Sequence, residues 1–398
     1  MAERPQLTKV EENALVDGHR LRVMQVLPAL GDGGVERSTL EMAGYLSRQN
    51  AEHWVVSGGG RLVPDVVAAG AQAVELPVGE KSPLAIIANA RALGRLIDAH
   101  KIDVVHARSR APAWAAWLAC RWFSYHPTRY LTTFHGVYSH GSALKRAYNR
   151  VMLKGRVVIA NSRFIKNHIV SVYGYPDNQI IVAPRGIEPA LFEPALYSCE
   201  FRQRIRAEFQ LHEAEPMLII VGRLTGWKGH SVLVEALERL KDLPWKLVVA
   251  GGGDADFVQN LKRQITVAGL SDRIILTGSR KDVPALLAVA DLAYSTSTRP
   301  EAFGRASIEA QAMETPIIAT DHGGSRETVI PGVTGWLVAP SDSLALSAVT
   351  REALSDPARL KRMGLEGRAN VLAHFTTERM LEAEFSAYRR LLAKPVSS

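Results

Sequence analysis

Short apolar runs alternate along this chain with longer segments in which apolar residues recur at helical spacing. Leu21 to Leu27 is the first such run; it enters the glycine-rich turn Gly31-Asp32-Gly33-Gly34, and a helical pattern follows over Ser38 to Arg48. Trp54 to Ser57 repeats the strand, and Val104 with Val105 repeats it after a helix over Pro83 to His100. Tyr130 to Thr133 then leads to His135, and Val157 to Ala160 to Asn161. A second series starts at Met217 to Val221 and continues through Lys246 to Ala250, Ile274 to Thr277, Leu292 to Ser295, Pro316 to Thr320 and Gly335 to Val338, each ahead of a helical segment. Apolar strands alternating with helices predict an α/β fold with parallel sheets covered on both faces. Pro189 and Pro194 precede a charged helix, which places a linker around Pro194 to Leu211 and reads residues 21–195 and 196–376 as two domains. Residues 1–20 form a polar leader expected to be flexible. Thr377 to Leu392 carries Leu381, Phe385, Tyr388 and Leu392 at helical spacing, so residues 377–398 are expected to dock as a helix across the domains.

Composition agrees with two packed domains: 398 residues, 47% of them hydrophobic. No window approaches the roughly 20 uninterrupted apolar residues that span a bilayer. Glu3, Glu11, Glu12 and Asp17 make the leader unlike a secretion signal, and Cys120 and Cys199 form no metal or disulfide pattern. A cytoplasmic protein is the expectation. The net charge of +8 changes the picture more, because residues 1–195 hold 23 Lys+Arg against 16 Asp+Glu, which is nearly all of the excess. Within them, Val104 to Pro176 contains 11 Lys+Arg and no acid. A face of that kind attracts phosphorylated substrates, acidic lipid headgroups or nucleic acid.

Two stretches carry candidate chemistry. In Arg299-Pro300-Glu301-Ala302-Phe303-Gly304-Arg305-Ala306-Ser307-Ile308-Glu309, a strand-to-helix turn puts Glu301 in the loop and Glu309 two turns into the helix. The amides around Phe303 to Ala306 can meet a diphosphate at the helix start, and the carboxylates can accept from sugar hydroxyls. The plainer alternative is a helix-start acid and a solvated one. In Gly222-Arg223-Leu224-Thr225-Gly226-Trp227-Lys228-Gly229, two cations on one loop can neutralise a leaving diphosphate without a metal, or simply decorate the surface.

These motifs, with Gly251-Gly252-Gly253 and Gly323-Gly324-x-x-Glu327, resemble the family 4 glycosyltransferases of the GT-B fold. Gly33-Gly34-x-Glu36, Phe134-His135-Gly136 and Asn161-Ser162 extend the resemblance into the first domain. It implies two facing Rossmann-like domains with a cleft between them, and retaining, metal-independent transfer from a nucleotide diphosphate sugar with no cofactor. On that resemblance Arg223 and Lys228 grip the diphosphate, Glu301 contacts the donor sugar and Glu309 the ribose. Gly33, Gly34 and the backbone of Phe303, Gly304, Arg305, Ala306 and Ser307 close on the phosphates. Ser279 and Arg280 lie where the family seats the base, and His135 lies beside the anomeric centre. Arg185-Gly186-Ile187-Glu188 departs from the family's Asn-Gly-hydrophobic-Asp, which leaves that turn's role open.

The first domain is then the acceptor side. Lys145, Arg146, Arg150, Lys154 and Arg156, interleaved with Leu144, Tyr148, Val151, Met152 and Leu153, suit an acidic membrane surface. Trp114, Trp117, Trp122, Phe123 and Tyr125 can reinforce it, unless they are core. The run His106 to Pro112, with Arg108 and Arg110, and Gly33 to Arg37 resemble envelope-polysaccharide transferases. The acid-free stretch points to an anionic, lipid-linked acceptor, met at the inner face of the cytoplasmic membrane, with no nucleic acid, and the resemblance implies lipopolysaccharide core as that acceptor. The rivals are a sugar-nucleotide 2-epimerase of the same fold and a basic lipid- or nucleic-acid-binding module. A dinucleotide oxidoreductase fits less well, since the first turn lacks G-x-G-x-x-G spacing.

Overall fold

The computed structural model describes residues 15–393 apart from Asp17, Asp32 and Glu213. Most of the expected flexible leader, and Asp32 of the glycine-rich turn, lie outside the described residues. Of the leader's described part, β1 (Leu15–Val16) pairs antiparallel with β2 (His19–Arg20), so this part is a small ribbon.

The chain divides into two units. The first comprises the described residues up to Ala183 together with those from Leu381 onward, and the second runs from Pro184 to Met380. The division falls ahead of the linker expected around Pro194 because the Arg185 to Glu188 turn is stitched to the second unit. Ile187 donates to the Phe375 carbonyl at 2.9 Å and accepts from the Thr377 amide at 2.8 Å. Arg185 is buried in the same place, its Nη1 3.6 Å from the Met380 sulfur.

The first unit is built on β3 (Arg22–Val26), β4 (Glu52–Ser57), β5 (Gln72–Glu75), β6 (Val104–Ala107), β7 (Arg129–Phe134), β8 (Val158–Ala160) and β9 (Ile180–Val182). They form one sheet in the order β5-β4-β3-β6-β7-β8-β9, every pair parallel. The second unit has β10 (Met217–Val221), β11 (Lys246–Ala250), β12 (Ile274–Gly278), β13 (Leu292–Ser295), β14 (Ile317–Thr320) and β15 (Gly335–Val338), ordered β12-β11-β10-β13-β14-β15 and again all parallel. Both are doubly wound sheets whose order reverses once, between β3 and β6 and between β10 and β13. A crevice opens beyond the carboxyl ends of the strands at such a reversal.

The strands read from sequence recur within a residue or two, because strands covered on both faces are apolar throughout. Besides β1 and β2, two strands of the first sheet were missed: β5 is largely exposed and β9 is only three residues long. The terminal helix spans Thr377–Leu392 as expected. From Leu381 onward it belongs to the first unit, where Leu381, Phe385, Tyr388 and Leu391 are buried, Leu391 in place of the expected Leu392.

That helix corrects one expectation. Arg108, read from sequence as an acceptor or membrane contact, has no exposed surface. Its guanidinium is held by Glu384 Oε2 at 2.8 Å and by Gln25 Oε1 at 2.7 Å. Beside it, His106 meets the Tyr388 hydroxyl at 2.8 Å through Nδ1 and the Thr133 hydroxyl at 2.7 Å through Nε2. A buried guanidinium requires a partner carboxylate, so Arg108 anchors the last helix and meets no acceptor.

Candidate active site

In the second unit, the loop after β10 and the loop after β13 meet at the sheet's reversal. Thr298 donates its amide to the Trp227 carbonyl at 2.7 Å, and the Thr296 hydroxyl donates to the Gly229 carbonyl at 3.1 Å. Gly229 has φ +76°, and a Cβ there would lie 1.8 Å from the Thr296 carbonyl oxygen, so only glycine lets the two loops close.

This closure brings Lys228 to Glu301. Lys228 Nζ donates to Glu301 Oε1 at 2.8 Å, and Ser297 Oγ donates to the same oxygen at 2.5 Å. Glu301 Oε2 therefore keeps its lone pairs uncommitted among the described residues. The ammonium also lies 4.7 Å from the centre of the Trp227 ring. Lys228, His230, Ser297, Glu301, Ala306 and Gly222 line one small cavity. Glu301 is fixed from behind: Gly324 donates to its carbonyl at 2.9 Å. The loop backbone runs so close that a Cβ on Gly324 would fall 2.3 Å from the Phe303 carbonyl oxygen.

The helix Arg305–Ala312 begins at Gly304, φ +85°, with no side-chain cap, so its start is open to an anion. Phe303 is core, packed with Ile187, Ile308 and Phe375, and only its backbone can serve a ligand. Ser307 is fully buried and its amide already donates to the Gly304 carbonyl at 3.1 Å, which removes it from the expected phosphate cradle. Arg305 and Glu309 pair with each other at 3.3 Å. Arg223 is exposed and makes no hydrogen bond or ion pair among the described residues.

The residues expected to seat the base lie outside the Lys228 cavity. Ser279 is exposed beside Gly252. Arg280 is fastened to Asp282 at 2.6 Å and Glu208 at 2.8 Å, and these carboxylates raise its pKa further above the ordinary range. It ties its own loop to the end of the helix Cys199–Glu208.

Sequence reasoning missed Ser297 and His230. The polar run Ser295 to Thr298 at the end of an apolar strand was the available signal for the first. His230 opens the helix His230–Glu238 and is buried. Burial, reinforced by the Lys228 charge and partly offset by the Thr225 backbone, pushes its imidazole down to about 4, so it is neutral at physiological pH.

In the first unit, Gly33 and Gly34 are exposed at the start of the helix Gly34–Arg48, beyond β3. A Cβ on Gly33 would lie 2.3 Å from the Glu36 carboxylate, which folds back over the helix start. His135 follows β7, half-buried, and its carbonyl accepts from Asn161 Nδ2 at 3.0 Å. Lys145, Arg146, Arg150 and Lys154 are exposed, as are Leu144, Trp122 and Tyr125, whereas Val151 and Met152 of the same segment are buried. Lys154 lies 5.3 Å over Trp117, which contacts Trp122. Among the described residues no helix is long and apolar enough to cross a membrane, and no group of three His, Cys, Asp or Glu is placed to hold a metal ion.

Two doubly wound parallel units, the second with a cation–carboxylate pair beside an open helix start at its strand reversal, define a class of two-unit α/β protein with room for a ligand at each reversal. Residues 201–370 match the model of the glycosyl transferases group 1, and residues 32–191 that of Glycosyltransferase Family 4. A solved glycosyltransferase from Rickettsia africae superposes with a TM-score of 0.87 at 34% identity, covering 94% of this chain and 99% of that one. The D-inositol 3-phosphate glycosyltransferase of Xylanimonas cellulosilytica is 29% identical over 370 residues, 86% of this chain and 88% of that protein. The lipopolysaccharide core biosynthesis mannosyltransferase LpcC of Rhizobium leguminosarum is 34% identical over 176 residues, 43% of this chain and 50% of that protein. The chain belongs to the family 4 glycosyltransferases of the GT-B fold, and is a glycosyltransferase.

Proposed function

We propose that the enzyme moves a sugar, with retention and without a metal, from a nucleotide diphosphate sugar to an anionic, lipid-linked glycan of the bacterial envelope, lipopolysaccharide core being the model acceptor. The observation that carries the donor reading is the Lys228–Glu301 pair, 2.8 Å apart beside the open helix start at Gly304. Arg223 and Lys228 hold the diphosphate, and Glu301 accepts from a sugar hydroxyl through its uncommitted oxygen. Glu309 turns from Arg305 to a ribose hydroxyl. The acceptor oxygen bonds to the anomeric carbon on the face from which the diphosphate departs. The departing phosphate oxygen takes the acceptor's proton, while the two cations stabilise its developing charge.

A panel of nucleotide sugars, followed for nucleotide release with acceptor extract, tests this. Release from one donor with retained anomeric configuration, undiminished by chelator and lowered at least a hundredfold by Arg223→Ala/Lys228→Ala, is expected. A glycosyl adduct on any carboxylate, or full activity in the double variant, refutes it.

LpcC supports the lipid-linked acceptor, as does the exposed array Lys145, Arg146, Arg150 and Lys154 beside Leu144 at 81% exposure. Charge reversal of all four should abolish binding to acidic vesicles at low salt and leave the weak binding to neutral vesicles as it was. Equal wild-type affinity for both vesicle types would refute the membrane contact.

A further inference from the structure

Glu301 is held by one oxygen, and that hold is built up from the loop after β14. Ser297 Oγ donates to Glu301 Oε1, while the Ser297 carbonyl is itself met twice, by the Thr320 hydroxyl and by His322 Nε2, each at 2.9 Å. Both lone pairs of that carbonyl are therefore taken. A carbonyl only accepts, so Nε2 carries the imidazole hydrogen and Nδ1 is bare. The bare nitrogen is buried and has no hydrogen-bond partner among the described residues.

The segment Thr296 to Thr298 lies between two loops. It is tied to Trp227 and Gly229 on one side and to Thr320 and His322 on the other. Ser297 and Thr320 are buried and His322 is half-buried, so water does not compete freely for these bonds. The loop that carries His322 also presses on the Glu301 turn: Gly323 has φ +59°, and a Cβ there would lie 2.5 Å from the Glu301 carbonyl oxygen. Ser297 cannot turn away from Glu301 without breaking one set of ties.

A carboxylate bound by a lone ammonium can swing about that contact. Here a second donor of a different kind, on a different loop, shares Oε1 with Lys228, which fixes the plane of the group and leaves Oε2 as its uncommitted acceptor. One fixed acceptor discriminates between hydroxyl orientations, because a sugar that points its hydroxyl elsewhere leaves that acceptor unpaired.

We propose that Ser297 and His322 are positioning residues for Glu301, and that together they decide which hydroxyl stereochemistry the enzyme accepts in the donor sugar. The proposal rests on Glu301 being the acceptor of a donor-sugar hydroxyl. Ser297 acts through Oε1 and His322 through the Ser297 carbonyl, and neither touches the sugar.

Kinetics with the preferred nucleotide sugar and with its epimer at one ring carbon, as UDP-glucose with UDP-galactose or GDP-mannose with GDP-glucose, test it. Ser297→Ala should lower kcat/KM for the preferred donor about tenfold, the effect of losing a hydrogen bond to a charged group, and narrow the preference over the epimer by the same factor. His322→Ala should lower both about threefold, and His322→Gln, whose amide nitrogen donates as Nε2 does, should recover most of that loss. In all three variants the affinity for UDP or GDP alone, read by isothermal titration, should match the wild type. A merely structural defect would weaken nucleotide binding along with turnover, and that result in both alanine variants overturns the proposal. An epimer preference kept in Ser297→Ala and His322→Ala but erased in Glu301→Gln also overturns it, while leaving the contact of Glu301 with the sugar in place. A preference that survives Glu301→Gln removes the contact on which the proposal rests.

Discussion

Lys228 answers two requirements with one ammonium group. Its bond to Glu301 orients the carboxylate, and its remaining protons are the ones the proposed reading gives to the diphosphate. His230, two residues on, is kept neutral by burial and by that same charge, which has a measurable consequence. Its folded pKa of about 4 lies below the ordinary 6.5, so the unfolded chain takes up a proton there first. The stability this represents is complete above pH 6.5 and is lost as pH falls toward 4, by about 3 kcal/mol in total. Urea midpoints of wild type and His230→Gln at pH 7 and pH 4.5 should show the steeper fall in the wild type. Parallel falls would mean that His230 does not carry the effect. None of this was legible in sequence. The letters Lys228-Gly229-His230 name the cation but not the burial of its neighbour, which depends on the loop after β13.

At the level of elements, the glycines separate into those that permit a close approach and those that only turn the chain. Gly324 is of the first kind, with Phe303 backbone where a side chain would go. Gly332, φ +78° with nothing within 4 Å, is of the second. Gly324→Ala should cost about 1–3 kcal/mol by overpacking and should also displace Glu301, reducing donor affinity. Gly332→Ala should cost about 1 kcal/mol and leave donor affinity as it is. Thermal unfolding with donor titration distinguishes the two, and equal affinity losses would contradict the assignment. The sequence marks Gly323-Gly324 as a motif, and the geometry shows Gly324 backing the Glu301 turn, its amide donating to the Glu301 carbonyl at 2.9 Å. Strand positions were legible because β10, β11 and β13 are almost wholly buried and so apolar. β5 faces solvent along most of its length and gives no such run.

For the whole molecule, the boundary was the part least visible in the sequence. It depends on Ile187 reaching Thr376, a pairing that no local pattern announces. Arg108 was misread for the same reason, since its partner Glu384 stands 276 residues away. Glu384→Ala leaves that guanidinium buried and unpaired, so about 3–5 kcal/mol should be lost from the first unit. Hydrogen exchange should show β3, β6 and β7 deprotected while β10 to β15 keep their protection. Uniform deprotection would show that the two units unfold as one.

The ion pair between Arg108 and Glu384 also sets an order of events during synthesis. At about 5–20 residues per second, the ribosome delivers Glu384 roughly 14–55 s after Arg108. Every strand of the second sheet emerges in that interval, so the later half of the polypeptide can mature while the earlier half still waits for its closing helix. A nascent chain in that interval would expose an unpaired guanidinium and the Tyr45 and His106 rings that Phe385 and Tyr388 later cover, a stage at which a chaperone has something to protect.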